Sequence, residues 1–389
     1  MTIQHFSSLY PNAIFRYKSR TVFPYHTSHR LDKHFNDLFD NQVQFGRIIY
    51  NKFLDRSLHT VLAVALTQSG KTGSMLSVVY HFISSPVLAI PLRNVFIITG
   101  HSSSEWLLQT KQRFPSSMRH NIYHRNGLDD FSLRIKDLTN LLILIDETQV
   151  AASVNQSIQA ALRKAGVSED TLYFRDIKFV LVSATPNSCV KRFIPQRPGH
   201  QLVYMEPAPG YRSIFDFFDA GLVHQSLDLC GFDHVTSSVV PSTLDNIRAF
   251  PLSSIPKYHI IRTHHSFKHD ITIDNFKTVF GESYSYLSMP DLDILSSPPS
   301  RHTFIFIKET LRCAKTIDKT YLGVLYERAS KKVSDSSIIQ GLAGRATGYH
   351  SVPIIIFTNI PSIEKYRALW DNHFDPALSW TKYKPSWII

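Results

Sequence analysis

The chain is short of cysteine, of long apolar runs and of acid. Its three cysteines, Cys189, Cys230 and Cys313, lie far apart, with no C-x-x-C pair and no H-x-x-x-H partner. That excludes a disulfide framework and a zinc site, and it points to a reducing compartment. No apolar run approaches the ~18 residues that a membrane span needs, and the N-terminus lacks the apolar core of a secretory signal. Residues 1–31 contain no acid, although Arg16, Lys18, Arg20 and Arg30 fall there. The Tyr, Phe and Pro around them argue against a transit peptide. These absences lead to the expectation of a soluble, intracellular protein. There is no repeat of fixed period and no low-complexity tract. Over the whole chain 42 Lys and Arg face 31 Asp and Glu, a formal charge of +11, which favours a polyanionic partner.

What is present suits a large core. The 389 residues are 43% apolar and 19% charged, enough for two domains of ordinary size. Short β-branched runs recur between longer polar or helical segments. In the first half they are Val61–Ala65, Asn94–Thr99, Leu141–Asp146 and Lys178–Ala184; in the second, Tyr258–Thr263, His302–Ile307, Tyr321–Glu327 and Pro353–Asn359. Nearly continuous apolar runs followed by helical stretches read as buried parallel strands in α/β layers, here as two sheets. The stretch between the groups is rich in Pro, Gly, Ser and aromatics. Its composition predicts a first domain over 1–195, a linker leading into a second domain over 196–256, and that second domain over 257–389. "IEKYRALWDNHF" near the end predicts an amphipathic helix with Ile363, Tyr366, Trp370 and Phe374 on its core face.

Four motifs carry chemistry. "AVALTQSGKTGSM" places Gly70, Lys71 and Thr72 directly after a strand and at the start of a helix. Backbone N–H groups in such a turn bind phosphate oxygens, Lys71 would reach the β- and γ-phosphates, and Thr72 would hold Mg²⁺. "LLILIDETQVA" ends a buried strand in Asp146 and Glu147, at the sheet edge where ligands bind in such folds. Asp146 would accept the Mg²⁺ water shell and Glu147 would deprotonate the attacking water; the plain alternative is a pair of helix-capping acids. "KFVLVSATP" and "IIQGLAGRATGYH" follow in that order.

Together these motifs resemble those of superfamily 2 helicases. The phosphate loop there runs A-x-T-x-x-G-K-[ST], and here Ala65-Leu66-Thr67-Gln68-Ser69-Gly70-Lys71-Thr72 matches it, with Gln68 where many members have glycine. Asp-Glu-Thr-Gln resembles the DEAD/DExH box, with Gln149 in last place. Ser183-Ala184-Thr185 resembles the motif that couples the nucleotide site to the nucleic-acid groove. The resemblance makes Arg345 the arginine finger and Gln340 a contact to the γ-phosphate or the attacking water. The family's second arginine falls at Gly348, and "KKVSDSSIIQG" stands in place of the preceding motif without its pattern. Thr99, Ser102, Gln109 and Lys111 align with a backbone-contacting segment of the first domain, Thr263 and Lys308 with strand ends of the second, and Gln44 with an adenine-reading glutamine. The wording of "ITGHSSSEW", "FIFIKETLR" and "GVLYER" is similar to compact superfamily 2 helicases of large DNA viruses.

The resemblance implies two RecA-like domains with ATP and Mg²⁺ between them, moving on DNA or RNA held mainly by its backbone. A packaging motor would add a nuclease domain with clustered acids, which the second half lacks. An ATP-gated nucleic-acid clamp without unwinding is the alternative that Gly348 keeps open.

Overall fold

The computed structural model describes residues 38–102, 104–147, 157–186, 199–233, 235–236, 238–308, 311, 316–330, 333–375 and 377–380. They divide into two compact units at Pro209 and Gly210, with 372–379 returning to the first.

The first unit is built on β1 (Thr60–Val64), β2 (Val95–Thr99), β3 (Ile122–Tyr123), β4 (Leu141–Asp146), β5 (Ile177–Ser183) and β6 (His200–Tyr204). Their order is β3-β2-β4-β5-β1-β6, with every pairing parallel. Strands β1, β2, β4 and β5 are buried along their whole length, which is why they read as unbroken apolar runs. Helices α1 (Asp40–Lys52), α2 (Lys71–Ile83), α3 (Ser104–Arg113), α4 (Leu128–Ile135), α5 (Ser157–Lys164) and α6 (Glu169–Phe174) complete the unit. Helix α2 buries Met75, Val78, Val79 and Phe82 at helical spacing. Against it α1 packs Gly46 so closely that a Cβ there would lie 2.2 Å from the Ser77 hydroxyl oxygen, so only glycine fits.

Register puts the expected site residues on one edge. Thr99 lies opposite Asp146, Asp146 opposite Val182, and Val64 opposite Ser183. The loops after β1, β2, β4 and β5 therefore leave the same, carboxyl edge of the sheet, where helix N-termini and loop amides gather.

The second unit holds β7 (Val223–Gln225), β10 (Tyr258–Arg262), β11 (Ser285–Ser288), β12 (Thr303–Ile307), β13 (Leu322–Tyr326) and β14 (Ile355–Thr358) in the order β11-β12-β10-β13-β14-β7, again all parallel. A separate antiparallel pair, β8 (Phe232–Asp233) and β9 (Ser238–Val239), stands beside it in sequence. Its helices are α7 (Ile214–Asp219), α8 (Pro241–Arg248), α9 (Phe267–Phe280), α10 (Asp335–Gln340), α11 (Leu342–Ala346) and α12 (Ile360–Asp371). An aromatic core of Phe250, Phe276, Phe304, Phe306 and Tyr326 fills one face of the sheet.

Two readings shift. The stretch 196–256 is woven into both units: β6 pairs with β1, and β7 pairs with β14. Phe374 does not continue the face of α12; the helix ends at Asp371 and Phe374 stacks on Tyr204 of the first unit at 6.3 Å.

Candidate nucleotide site

The loop after β1 is shaped by two left-handed residues, Gln68 at φ 55° and Gly70 at φ 107°. Gly70 suits that backbone; Gln68 occupies it without glycine's freedom, at a cost of roughly 1–2 kcal/mol. Helix α2 then begins at Lys71, so its unpaired N–H groups and positive dipole end face out of the loop. Thr67 and Ser69 are buried, and Ser69 turns its hydroxyl to the Leu66 carbonyl at 2.8 Å. Ala65 is not part of the cradle. It is fully buried, and its N–H already donates to the Ser183 carbonyl at 3.1 Å, which ties the loop to the Ser183-Ala184-Thr185 segment. Ser183 and Thr185 are both buried, and the Ser183 hydroxyl accepts the Thr185 N–H at 3.0 Å.

Gln44 is exposed on α1. Gln42, two residues earlier, is the glutamine that reaches the loop: its amide nitrogen donates to the Gly70 carbonyl at 3.1 Å and its amide oxygen accepts the Phe39 N–H at 3.0 Å. A Cβ on either Gly70 or Gly73 would lie 2.5 Å from that carboxamide, so both glycines are needed for its approach. Helical phase held the signal. Gln42, Phe45 and Ile49 share the buried face of α1, and Gln44 does not.

Where β4 ends, Asp146 and the following Glu147 are both buried. Lys71 Nζ lies 3.7 Å from the Glu147 carboxylate. Asp146 accepts the Trp106 indole N–H at 3.0 Å and the Glu147 backbone N–H at 3.0 Å. Burial, and then the neighbouring charge of Glu147, push the Asp146 carboxyl up to about 6, against the pull of Lys71 and Trp106. The crowded, desolvated carboxylates of Asp146 and Glu147 are hard oxygen donors of the kind a divalent cation takes. Glu147 has φ 54°, in the left-handed region, so the backbone turns out of the strand at this residue. Gln149 lies outside the described residues.

Thr99 is wholly buried, and its hydroxyl donates to the Asp146 carbonyl at 3.0 Å, so it braces the acidic strand and offers nothing to solvent. Ser102 is exposed, while Gln109 and Lys111 are half-buried on α3. Trp106 and Arg113 escaped the sequence reading; both lie on α3, and Arg113 donates to the Thr72 hydroxyl at 3.3 Å.

In the second unit Thr263 is also buried, with its hydroxyl shared between His269 at 2.6 Å and the Ile307 carbonyl at 3.2 Å. Arg262 ties three strand ends together, pairing with Glu327 at 2.8 Å and donating to the carbonyls of Lys308 and Leu311. Lys308 is half-buried beside this edge, and His264, His265 and Lys268 gather there at the start of α9. Burial and the nearby Arg328 hold His264 below its ordinary value.

Arg345 and Gln340 come together: both are buried, and the Arg345 guanidinium donates to the Gln340 carbonyl at 3.0 Å. Gly348 has φ 124° and exchanges two backbone hydrogen bonds with Arg212, at 2.9 and 3.0 Å. That conformation favours glycine, a backbone reason for the missing arginine. Asp335 in the unmatched preceding segment is an internal anchor, accepting the Ser362 hydroxyl at 2.6 Å.

No protein-family profile matches the chain. An uncharacterized protein, L594, of Acanthamoeba polyphaga mimivirus is 26% identical over 338 residues, 80% of this chain and 82% of that protein. Among solved structures, the DEAD-box helicase Mss116 bound to ssRNA and UDP-BeF aligns with a TM-score of 0.51 at 12% identity, over 94% of this chain and 82% of that one. The Escherichia coli DEAH/RHA helicase HrpB aligns at a TM-score of 0.48 and 14% identity over 87% of this chain, which spans about half, 48%, of the HrpB chain. Two parallel sheets flanked by helices, in two units, are the paired RecA-like domains of this architecture, and the chain has the fold of the superfamily 2 helicases.

Proposed function

We propose that the protein is an ATP-dependent helicase or translocase that moves on a nucleic-acid strand. The observation that carries this reading is the meeting of Lys71 with Glu147 across the loop–acid edge of the first sheet, at 3.7 Å. Amides 70–73 and Lys71 hold the phosphates of ATP. Thr72 and Asp146 would hold Mg²⁺, which would supply positive charge to the phosphates. Lys71 leaves Glu147 for phosphate oxygens, which releases that carboxylate to accept a proton from water. Gln42 orients the loop and takes the adenine-reading place expected of Gln44. Arg345 and Gln340 would serve the γ-phosphate, a role supported by the resemblance of "IIQGLAGRATGYH" to the last superfamily 2 helicase motif.

The strand is held mainly by its backbone, through the excess of positive charge and through Ser102, Gln109, Lys111 and Lys308. His264, His265 and Lys268, at the same edge as Lys308, join them. The fold relative Mss116 was solved with a single-stranded RNA and a nucleotide analogue bound, which supports both ligand classes. Gly348 favours a second reading, a clamp that binds ATP and strand without unwinding.

The test is steady-state ATP hydrolysis by the full chain with and without single-stranded DNA or RNA, together with displacement of a labelled strand from a duplex. Stimulated hydrolysis with displacement supports the motor. Stimulated or basal hydrolysis without displacement supports the clamp, and an absence of nucleotide binding rejects both.

A further inference from the structure

Both side chains assigned above to Mg²⁺ are met by donors from one helix. On α3, Trp106 reaches the Asp146 carboxylate at 3.0 Å and Arg113 reaches the Thr72 hydroxyl at 3.3 Å. Their spacing is close to two helical turns, so both project from the same face. Their settings differ. Trp106 is buried, at 5% exposure, and anchors the helix against the acidic strand. Arg113 is exposed, in the last turn of the helix.

A guanidinium has donors only and a permanent charge. The lone pairs of the Thr72 hydroxyl that receive it are those a divalent cation would use. A cation on that oxygen would also stand close to the guanidinium, and like charges at short range repel strongly.

We propose that Arg113 is a positioning residue that acts as a tethered cation at the metal position: it holds the Thr72 hydroxyl and lends positive charge to the phosphate loop until Mg²⁺ displaces it. This rests on the nucleotide site proposed above. Without metal, Arg113 favours nucleotide binding by supplying charge near the phosphates. With metal, the same guanidinium competes and must move. Removing it therefore has opposite effects in the two conditions, which a merely structural arginine would not produce.

The experiment titrates a fluorescent ADP analogue into wild type and Arg113→Ala, first in EDTA and then across a range of Mg²⁺ concentrations. Arg113 is exposed, so the variant keeps the fold. In EDTA the variant should bind about three- to tenfold more weakly, the scale of one ordinary net hydrogen bond. The Mg²⁺ concentration giving half of the metal-dependent gain should fall by a similar factor. Equal behaviour of the two proteins, or equal weakening in both conditions, overturns the tethered cation while leaving the nucleotide site intact. A wild type that binds no analogue in either condition overturns the site itself, and the inference with it.

Discussion

Gln42 and Gln44 differ by two positions, yet they face in different directions because a helix turns about 100° per residue. Gln42 makes two hydrogen bonds to backbone groups and is buried, whereas Gln44 is exposed. Gln42→Ala should lower stability by about 1–3 kcal/mol, since it removes two hydrogen bonds, to the Gly70 carbonyl and from the Phe39 N–H, worth about 0.5–1.5 kcal/mol each. It should also weaken nucleotide binding. Gln44→Ala should change stability by no more than about 0.5 kcal/mol. Thermal melts and a nucleotide titration on both variants check this; a larger effect from Gln44→Ala would return the role to that residue. The same lesson holds for Thr99 and Thr263. Their order along the chain suggested phosphate contacts, but each closes a strand and turns its hydroxyl into the sheet edge. Sequence order shows where a residue falls along a strand, not which way its side chain points.

At the scale of elements, the strands that could be read were those buried on both faces. All eight expected runs correspond to β1, β2, β4, β5, β10, β12, β13 and β14 within a residue or two. The four further strands of the two sheets, β3, β6, β7 and β11, lie at or near sheet edges, and β3 and β7 have two and three residues. Edge strands bury less, so their apolar signal is weak. Strand β10 also carries a titration. The His259 ring is buried on it, with Nε2 paired to His302 Nδ1 at 3.0 Å, and its Nδ1 has no hydrogen-bond partner among the described residues. Burial, with the charges of His302 and Lys257, lowers its pKa from 6.5 to about 3. The unfolded chain therefore takes up a proton near pH 6.5 that the folded unit refuses. Stability falls as pH drops from about 6.5 towards about 3, by several kcal/mol at the lower end. His259→Phe should flatten this loss, seen as a lower pH midpoint in acid unfolding followed by circular dichroism. An unchanged midpoint would place the acid sensitivity elsewhere.

For the whole molecule, both sheets were legible because apolar runs and motif order agree on the fold, while the proposed site can be named from sequence mainly where its chemistry would demand one residue type. Lys71, Thr72, Asp146 and Glu147 could be named before any geometry. Trp106 and Arg113 could not, since nothing in an isolated helix shows which strand or loop its face will meet. Arg345 tests whether the second unit serves the reaction. Arg345→Ala should cut kcat by ~10³-fold, the scale of a lost arginine finger, with nucleotide affinity much less affected. Arg345 is buried at 4% exposure, so a thermal melt belongs in the same experiment. A folded variant with kcat within about threefold of wild type would remove the finger and favour the clamp. The central claim is that Glu147 activates water at a nucleotide held by Lys71. Its most direct test is the strand-stimulated ATPase rate of Glu147→Gln beside wild type, with nucleotide binding measured on the same samples. The amide keeps the shape but cannot accept the proton, so kcat should fall by ~10²–10⁴-fold while ATP still binds. A Glu147→Gln protein that binds ATP and turns it over at the wild-type rate would contradict the account.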